Sequence, residues 1–213
     1  VSGGMDSCVT ATAAKADGYD ISFLHMNYGQ RTEKRELKAF HDIADHYMID
    51  EKLVIDISHL SAIGGSCLTD KNIEIPDANL DNLNIPVSYV PFRNANILSV
   101  AVSWAEVLKV SVIYLGAVEE DSSGYPDCRR SFFDAFEKTI NVGTKPETNI
   151  KIITPLITLT KKEIVVRGKS IDAPLHLTWS CYKREDVPCE ECDSCVLRAR
   201  GFEQVGVKDP ILH

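Results

Sequence analysis

No apolar run in these 213 residues approaches the roughly 20 needed to cross a bilayer, so no helical membrane span is expected within them. A basic-then-apolar leader is not visible either, and a cytoplasmic location is expected. Positive charge is in short supply: 23 Lys and Arg stand against 31 Asp and Glu, a formal net charge of -8. A protein that grips nucleic acid broadly carries a basic face, so direct nucleic-acid contact is not expected. Internal repeats and low-complexity tracts are missing. So is the Gly-Lys-Ser/Thr string with which Walker-type loops grip terminal phosphates through a lysine.

What is present at the start is a phosphate cradle of another kind. Val1, Ser2, Gly3, Gly4, Met5, Asp6 and Ser7 place two adjacent glycines where the backbone must turn and bring its N–H groups close to a ligand. Ser2 and Ser7 add hydroxyls. The following run, Cys8, Val9, Ala11, Ala13 and Ala14, reads as a helix whose positive end faces the phosphates. Asp6 is acidic where a bare phosphate site avoids negative charge, which a divalent cation between it and a nucleotide accounts for. The plain alternative is a glycine turn capping an ordinary helix. A strand is expected ahead of such a loop, and hence a few residues before Val1.

Beyond the loop, apolar strands alternate with amphipathic helices. Strands are expected at 21–26, 53–57, 110–117 and 152–156, and helices at 32–48, 96–108, 131–141 and 161–167. With the strand ahead of residue 1, this predicts an α/β, doubly wound, Rossmann-like fold on a parallel five-stranded sheet. Ligands then sit at the C-terminal ends of the strands. Residues 62–86 lack periodicity and read as a long loop, the candidate cover of the site. A boundary near 170 separates an α/β domain (1–170), expected to carry the phosphate site, from a small C-terminal segment (171–213).

That segment carries Cys181, Cys189, Cys192 and Cys195, two overlapping Cys-x-x-Cys steps plus one outlying thiol. Four soft ligands suit one tetrahedral Zn²⁺ in a closed, structural site, with an iron–sulfur cluster as the competing reading. Free loop thiols and a redox pair are the blander ones. Cys8 and Cys67 read as structural residues, and Cys128 is left open by its neighbours. In Tyr125-Pro126-Asp127-Cys128-Arg129, Asp127 and Arg129 are candidates to face a ligand, against a solvated turn. Arg93 and Lys161 each precede or open a helix and are candidates to neutralise phosphate charge.

The string Ser2-Gly3-Gly4-Met5-Asp6-Ser7 resembles the signature of the pyrophosphate-loop (PP-loop) ATP pyrophosphatases. Further pieces run in the same order to the end of the chain: Tyr28-Gly29-Gln30-Arg31, Val90 to Asn94, Tyr125 to Arg129, Pro155-Leu156, Thr178 to Tyr182, the cysteine tail and Asp209-Pro210. Together they resemble the 7-cyano-7-deazaguanine synthase (QueC) family. Arg184 and Glu190 stand where many members have glycine.

The resemblance implies a ligase of queuosine biosynthesis. It would convert 7-carboxy-7-deazaguanine and free ammonia to the nitrile with two ATP, through an adenylated carboxylate and then an adenylated amide. It further implies Mg²⁺ on Asp6, catalytic Arg93 and Lys161, Asp127 at the heterocycle edge, Arg129 on the substrate carboxylate, and a homodimer. Two alternatives remain at this point: a tRNA-modifying PP-loop enzyme, and a non-enzymatic nucleotide- or zinc-binding regulator.

Overall fold

A computed structural model describes residues 1–81, 84–119 and 124–212 of the chain. Its elements, in order, are α1 (Met5–Ala16), β1 (Phe23–Asn27), α2 (Glu33–His46), β2 (Lys52–Asp56), α3 (His59–Ile63) and α4 (Arg93–Leu108). Then follow β3 (Val112–Tyr114), α5 (Arg130–Gly143), β4 (Lys151–Ile153), α6 (Lys161–Ser170) and α7 (Asp193–Val205). Strand and helix alternate as the hydrophobic pattern requires, and every strand pairing is parallel. β1 pairs with β2, Phe23 opposite Lys52 and Asn27 opposite Asp56. β3 pairs with β4, Val112 opposite Lys151 and Tyr114 opposite Ile153.

Among the described residues the strands therefore form two parallel pairs. The fifth expected strand, ahead of residue 1, lies outside the described residues. Val1 already lies against β1. Its amine donates to the Leu24 carbonyl at 2.6 Å, as a ladder amide does, and its carbonyl accepts from Nδ1 of His25 at 3.1 Å. An apolar slot lined by Phe23, Leu24, Leu98, Ala101, Val112 and Leu115 runs between β1 and β3 and opens toward the glycine loop.

Helix α1 explains its own composition. Met5 and Val9 pack with Leu156, Ile164, Val165 and Phe202, while Cys8 and Ala11 pack with Phe23, Phe40 and Ile43. A helix buried on two sides has no polar face to show, hence its run of Ala, Val and Thr. α2 is the opposite case: Ala39, Phe40, Ile43 and Ala44 are buried, while Lys34, Lys38 and Asp45 face outward.

α4 and β3 depart from the sequence pattern for local reasons. α4 begins at Arg93, three positions early, because the Asp127 carboxylate accepts from the Asn94 amide at 2.9 Å and satisfies the helix start from a distant turn. β3 ends at Tyr114 because the chain must then leave the sheet to pass beneath the glycine loop. A Cβ on Gly116 would stand 2.9 Å from the Ser7 amide nitrogen.

The long irregular stretch is not a loose flap. The Arg31 guanidinium donates to the carbonyls of Cys67 and Asp70 at 2.8 and 2.9 Å, and Cys67, Leu68 and Ile75 are buried beside Trp179, Cys181 and Cys192. None of residues 62–81 lines the cavity described below. The C-terminal segment is equally integrated: its Trp179 and cysteines share one core with Met26, Tyr28, Ile57 and Leu60.

Candidate active site and metal centre

The opening loop closes on itself through its two serines. Ser2 and Ser7 hydroxyls lie 3.0 Å apart, the Ser2 amide donates to Ser7 Oγ at 3.1 Å, and Ser7 Oγ donates to the Gly4 carbonyl at 2.9 Å. Gly3 sits at φ +90°, a left-handed conformation, with its missing side chain aimed at the Glu36 carbonyl only 2.5 Å from where a Cβ would be. Glycine is required there twice, for the dihedral and for the space. α1 starts one residue after Gly4, so its unpaired amides face the same opening.

Asp6 and Lys161, 155 positions apart, meet at this loop: Lys161 Nζ donates to Asp6 Oδ2 at 2.6 Å. Lys161 is held by the start of α6, where Thr160 and Glu163 form a reciprocal capping box. Gly201 of α7 lets that helix press against the Lys161 backbone. Asp6 Oδ1 is buried and has no hydrogen-bond partner. A buried carboxylate oxygen left open beside a phosphate cradle fits a hard divalent cation.

The apolar slot between β1 and β3 continues into a polar chamber at the loop, the two together enclosing a cavity of about 630 Å³. Ser2, Asp6, Ser7, Arg93, Lys161 and Arg198 are among its polar walls, with Tyr28, Tyr125, Trp179 and Tyr182 as aromatic ones. Arg93 is sunk among the tyrosines: its guanidinium lies 5.1 Å over the Tyr28 ring and donates to the Tyr28 hydroxyl at 3.2 Å. No carboxylate of the described residues stands within ion-pair distance of it. Burial pushes the surrounding phenols of Tyr28 and Tyr182 well above the ordinary tyrosine range, and they stay protonated. A buried guanidinium with neutral neighbours is a site for an anion.

The sequence-nominated residues thus fall into two groups. Val1 to Ser7, Arg93 and Lys161 converge on one opening. Asp127 does not line the cavity. It is 3% exposed, its Oδ2 caps α4 at Asn94, and its carbonyl accepts from Asn94 Nδ2 at 2.8 Å. Arg129 is exposed at the start of α5 and is not a wall residue either. Cys128 does line the cavity, and burial pushes its thiol up to about 11. A thiol of that kind stays protonated at neutral pH and is a poor nucleophile.

Sequence reasoning missed Glu36, Trp179 and Tyr182 as wall residues. Trp179 and Tyr182 sit in a motif whose spacing gives no hint of direction, Glu36 sits in none, and only the fold turns them inward.

The four cysteine sulfurs of Cys181, Cys189, Cys192 and Cys195 lie within 4.8 Å of one another, the arrangement of a metal site. Backbone amides of Lys183, Arg184 and Cys189 point at Cys181 Sγ from 3.3 to 3.4 Å, and the Cys192 amide points at Cys189 Sγ from 3.4 Å. Such N–H···S contacts stabilise thiolates, the form that binds metal. The knot has a second use. The Trp179 amide donates to the Gly3 carbonyl at 2.8 Å, and Tyr182 lines the cavity, so Cys181 fixes a segment that touches both the loop and the Arg93 pocket. Glu190, between two ligands, sits at φ +62°.

Comparison with known proteins places this geometry in a family. The family model for "Queuosine biosynthesis protein QueC" matches residues 1–206. Curated relatives named 7-cyano-7-deazaguanine synthase include those of Chlorobium phaeobacteroides and Chloroherpeton thalassium, each 58% identical over 211 residues, covering 99% of this chain and 93% of the relative. A solved structure described as a predicted subunit of a tRNA methyltransferase from Methanocaldococcus jannaschii superposes with a TM-score of 0.51 at 15% identity. It covers 100% of this chain and 88% of that one, a likeness of fold alone.

Proposed function

The chain belongs to the QueC family of queuosine biosynthesis, and from that premise we propose that it converts 7-carboxy-7-deazaguanine and ammonia to 7-cyano-7-deazaguanine at the expense of ATP. The observation that carries the reading is the shared cavity: a self-closed phosphate loop and a buried, carboxylate-free Arg93 open into one space. Neither a tRNA-modifying role nor a regulator role is favoured by relatives that carry the synthase name.

In this reading the loop amides and the start of α1 hold the phosphates of ATP, and Arg93 holds the substrate carboxylate against the α-phosphate. A carboxylate is a poor partner for ammonia because oxide would have to leave. Transfer of AMP to its oxygen supplies a leaving group, while Lys161 offsets the charge gathering on departing pyrophosphate. Ammonia then displaces AMP to give the amide, and a second adenylation on the amide oxygen lets AMP leave again with the nitrile behind. Asp6 Oδ1 would hold Mg²⁺, which supplies charge neutralisation to the nucleotide's phosphates. The ring lies among Tyr28, Tyr125, Trp179 and Tyr182, which exclude the water that would hydrolyse an acyl adenylate. Asp127 serves at one remove, by fixing Asn94 and the turn that carries Arg93. Arg93 takes the carboxylate contact expected of Arg129.

Zinc, one ion per chain, is the metal proposed for the cysteines. Zn–S bonds of about 2.3 Å put tetrahedral sulfurs roughly 3.8 Å apart, and Cys189 and Cys195 Sγ lie 3.9 Å apart. A four-iron cluster would hold its thiolates further from one another. A cytoplasmic homodimer without nucleic-acid contact completes the reading. It rests on the family resemblance and the net charge of -8.

Incubation with Mg-ATP, an ammonium salt and 7-carboxy-7-deazaguanine tests the proposal by mass spectrometry. Nitrile, AMP and pyrophosphate are expected. ADP with orthophosphate, or no nitrile, overturns it. Elemental analysis of the purified protein is expected to give one zinc and no iron per chain.

A further inference from the structure

Making a nitrile from ammonia strips every proton from one nitrogen. An ammonium ion loses one proton to become a nucleophile, and a second leaves as the amide forms. A third leaves as the amide oxygen is adenylated, and the fourth departs with the second AMP. The groups named so far, Arg93 and Lys161, are cations and take none of these protons. The site needs an acceptor that faces the reacting carbon and is not tied up in an ion pair.

Two acidic residues border the polar end of the cavity. Asp6 is bound to Lys161. The other is Glu36, on the first turn of α2, whose own carbonyl forms the seat of Gly3. Its carboxylate is aimed by two neighbours: Thr32 Oγ1 donates to Oε1 at 2.7 Å and Gln30 Nε2 donates to Oε2 at 3.3 Å. Each oxygen keeps a lone pair. Gln30 is itself held in place, its Oε1 accepting from the Tyr28 amide at 2.9 Å. Glu36 makes no ion pair within 4.0 Å among the described residues, although the Arg93 guanidinium acts on it from across the cavity. It therefore shares one cavity with the cation that holds the substrate carboxylate, and lies behind the loop that holds ATP.

We infer that Glu36 is the proton acceptor for the incoming nitrogen, taking a proton from ammonium and from the nitrogen of each intermediate. The inference rests on the ammonia-dependent reading given above. In the first half, ammonium gives a proton to the Glu36 carboxylate. The freed lone pair forms the C–N bond, and the C–O bond to AMP breaks with its electrons leaving on AMP. The extra proton on nitrogen then passes to Glu36 once it has emptied to solvent. In the second half the same carboxylate takes the N–H protons as the second C–O bond breaks and C≡N forms.

The charge balance around Glu36 suits that work. Burial, the largest influence, pushes its carboxyl up to about 7, against the opposing pull of Thr32, Arg93 and Gln30 and with a further upward push from Glu33 on its own helix. An acceptor that titrates near neutrality both takes and releases protons with little loss.

The test is Glu36→Gln, of nearly the same shape, read in two assays. Isotope exchange between pyrophosphate and ATP in the presence of 7-carboxy-7-deazaguanine, without ammonia, reports the adenylation alone and is expected within about threefold of wild type. Amide and nitrile formation from ammonium is expected to fall roughly 10²-fold or more. Its dependence on ionisation near pH 7 should vanish, and an amine nucleophile already unprotonated at neutral pH should restore C–N bond formation. Should Glu36→Gln melt well below wild type, Glu36→Asp replaces it, with retained exchange and slowed amide formation expected. Parallel loss of exchange and amide formation in a folded variant overturns the inference, as does wild-type nitrile formation by Glu36→Gln. A wild-type enzyme that forms no acyl adenylate at all would instead overturn the functional reading on which it rests.

Discussion

Lys161 Nζ lies 2.6 Å from Asp6 Oδ2, joining the first turn of α6 to the first turn of α1 at the mouth of the phosphate loop. Both side chains are mostly buried, at 13% and 27% exposed, so the pair is fixed rather than fluctuating at the surface. It keeps the Asp6 carboxylate turned so that Oδ1 remains open. Lysine thus has two employments here, orienting Asp6 before ATP enters and meeting phosphate charge afterwards.

Lys161→Met keeps the length of the side chain and removes the charge. We expect kcat for pyrophosphate release to fall about 10²- to 10³-fold, the cost of losing one preorganised charge at the transition state. Asp6→Asn should instead raise the Mg²⁺ concentration needed for half-maximal activity, since it blunts the open oxygen. Steady-state pyrophosphate assays over a Mg²⁺ series separate the two. Equal effects of both variants on Mg²⁺ dependence would contradict this division.

Arg198 and Asp209 tie α7 to the chain end. The guanidinium donates through Nε and Nη2 to the two carboxylate oxygens at 2.7 and 2.9 Å, and Nη1 donates to Thr178 Oγ1 at 2.7 Å, with both residues about 3–5% exposed. Removing one partner of such a pair strands a buried charge. Asp209→Ala should cost about 3–5 kcal/mol. That corresponds to a fall in Tm of roughly 6–20 °C for a chain of this size. Differential scanning calorimetry measures it, and a change under about 2 °C would show that the pair carries no net stability.

Glu190 holds a left-handed backbone between Cys189 and Cys192, where a side chain is strained by roughly 1–2 kcal/mol. Glu190→Gly relieves that strain while giving back unfolded-state entropy. A net gain of about 0.5–1 kcal/mol in metal-loaded protein is expected by denaturant titration. Glu190→Ala, which keeps the strain, should show no gain.

Glu36 makes stability depend on pH in a definite direction. Its carboxyl is raised by burial from 4.5 to about 7, so the folded protein holds a proton that the unfolded chain has lost between those values. Stability therefore falls as pH rises from about 4.5 to 7 and levels off above. The penalty amounts to about 3 kcal/mol at pH 8. Glu36→Gln lacks it. The variant is expected to be more stable than wild type at pH 8 and to lose that advantage at pH 5. Urea titrations at the two pH values check the crossover, and an advantage that does not change with pH would count against a buried, proton-binding Glu36.

The sequence by itself determined the loop, the alternation and the clustering of the four cysteines. Ser2 to Ser7 and the four cysteines are contiguous or closely spaced, so their geometry is set by local backbone and survives any arrangement of the rest. The amphipathic period likewise placed α2, α4 and α5 within a few residues, because one buried face per element is a local demand. Tertiary structure alone decided which side chains share the cavity. Asp127 looked like a ligand group because it follows a strand end. The fold spends its carboxylate on the amide of Asn94, a donor 33 positions away that no spacing reveals. Glu36 drew no notice in the sequence, yet Gly3 packing onto its turn carries it to the cavity wall that also holds Arg93. A residue's chemistry is written in its side chain. What that side chain faces depends on long-range packing, which sums over the whole chain and leaves no mark on its neighbours.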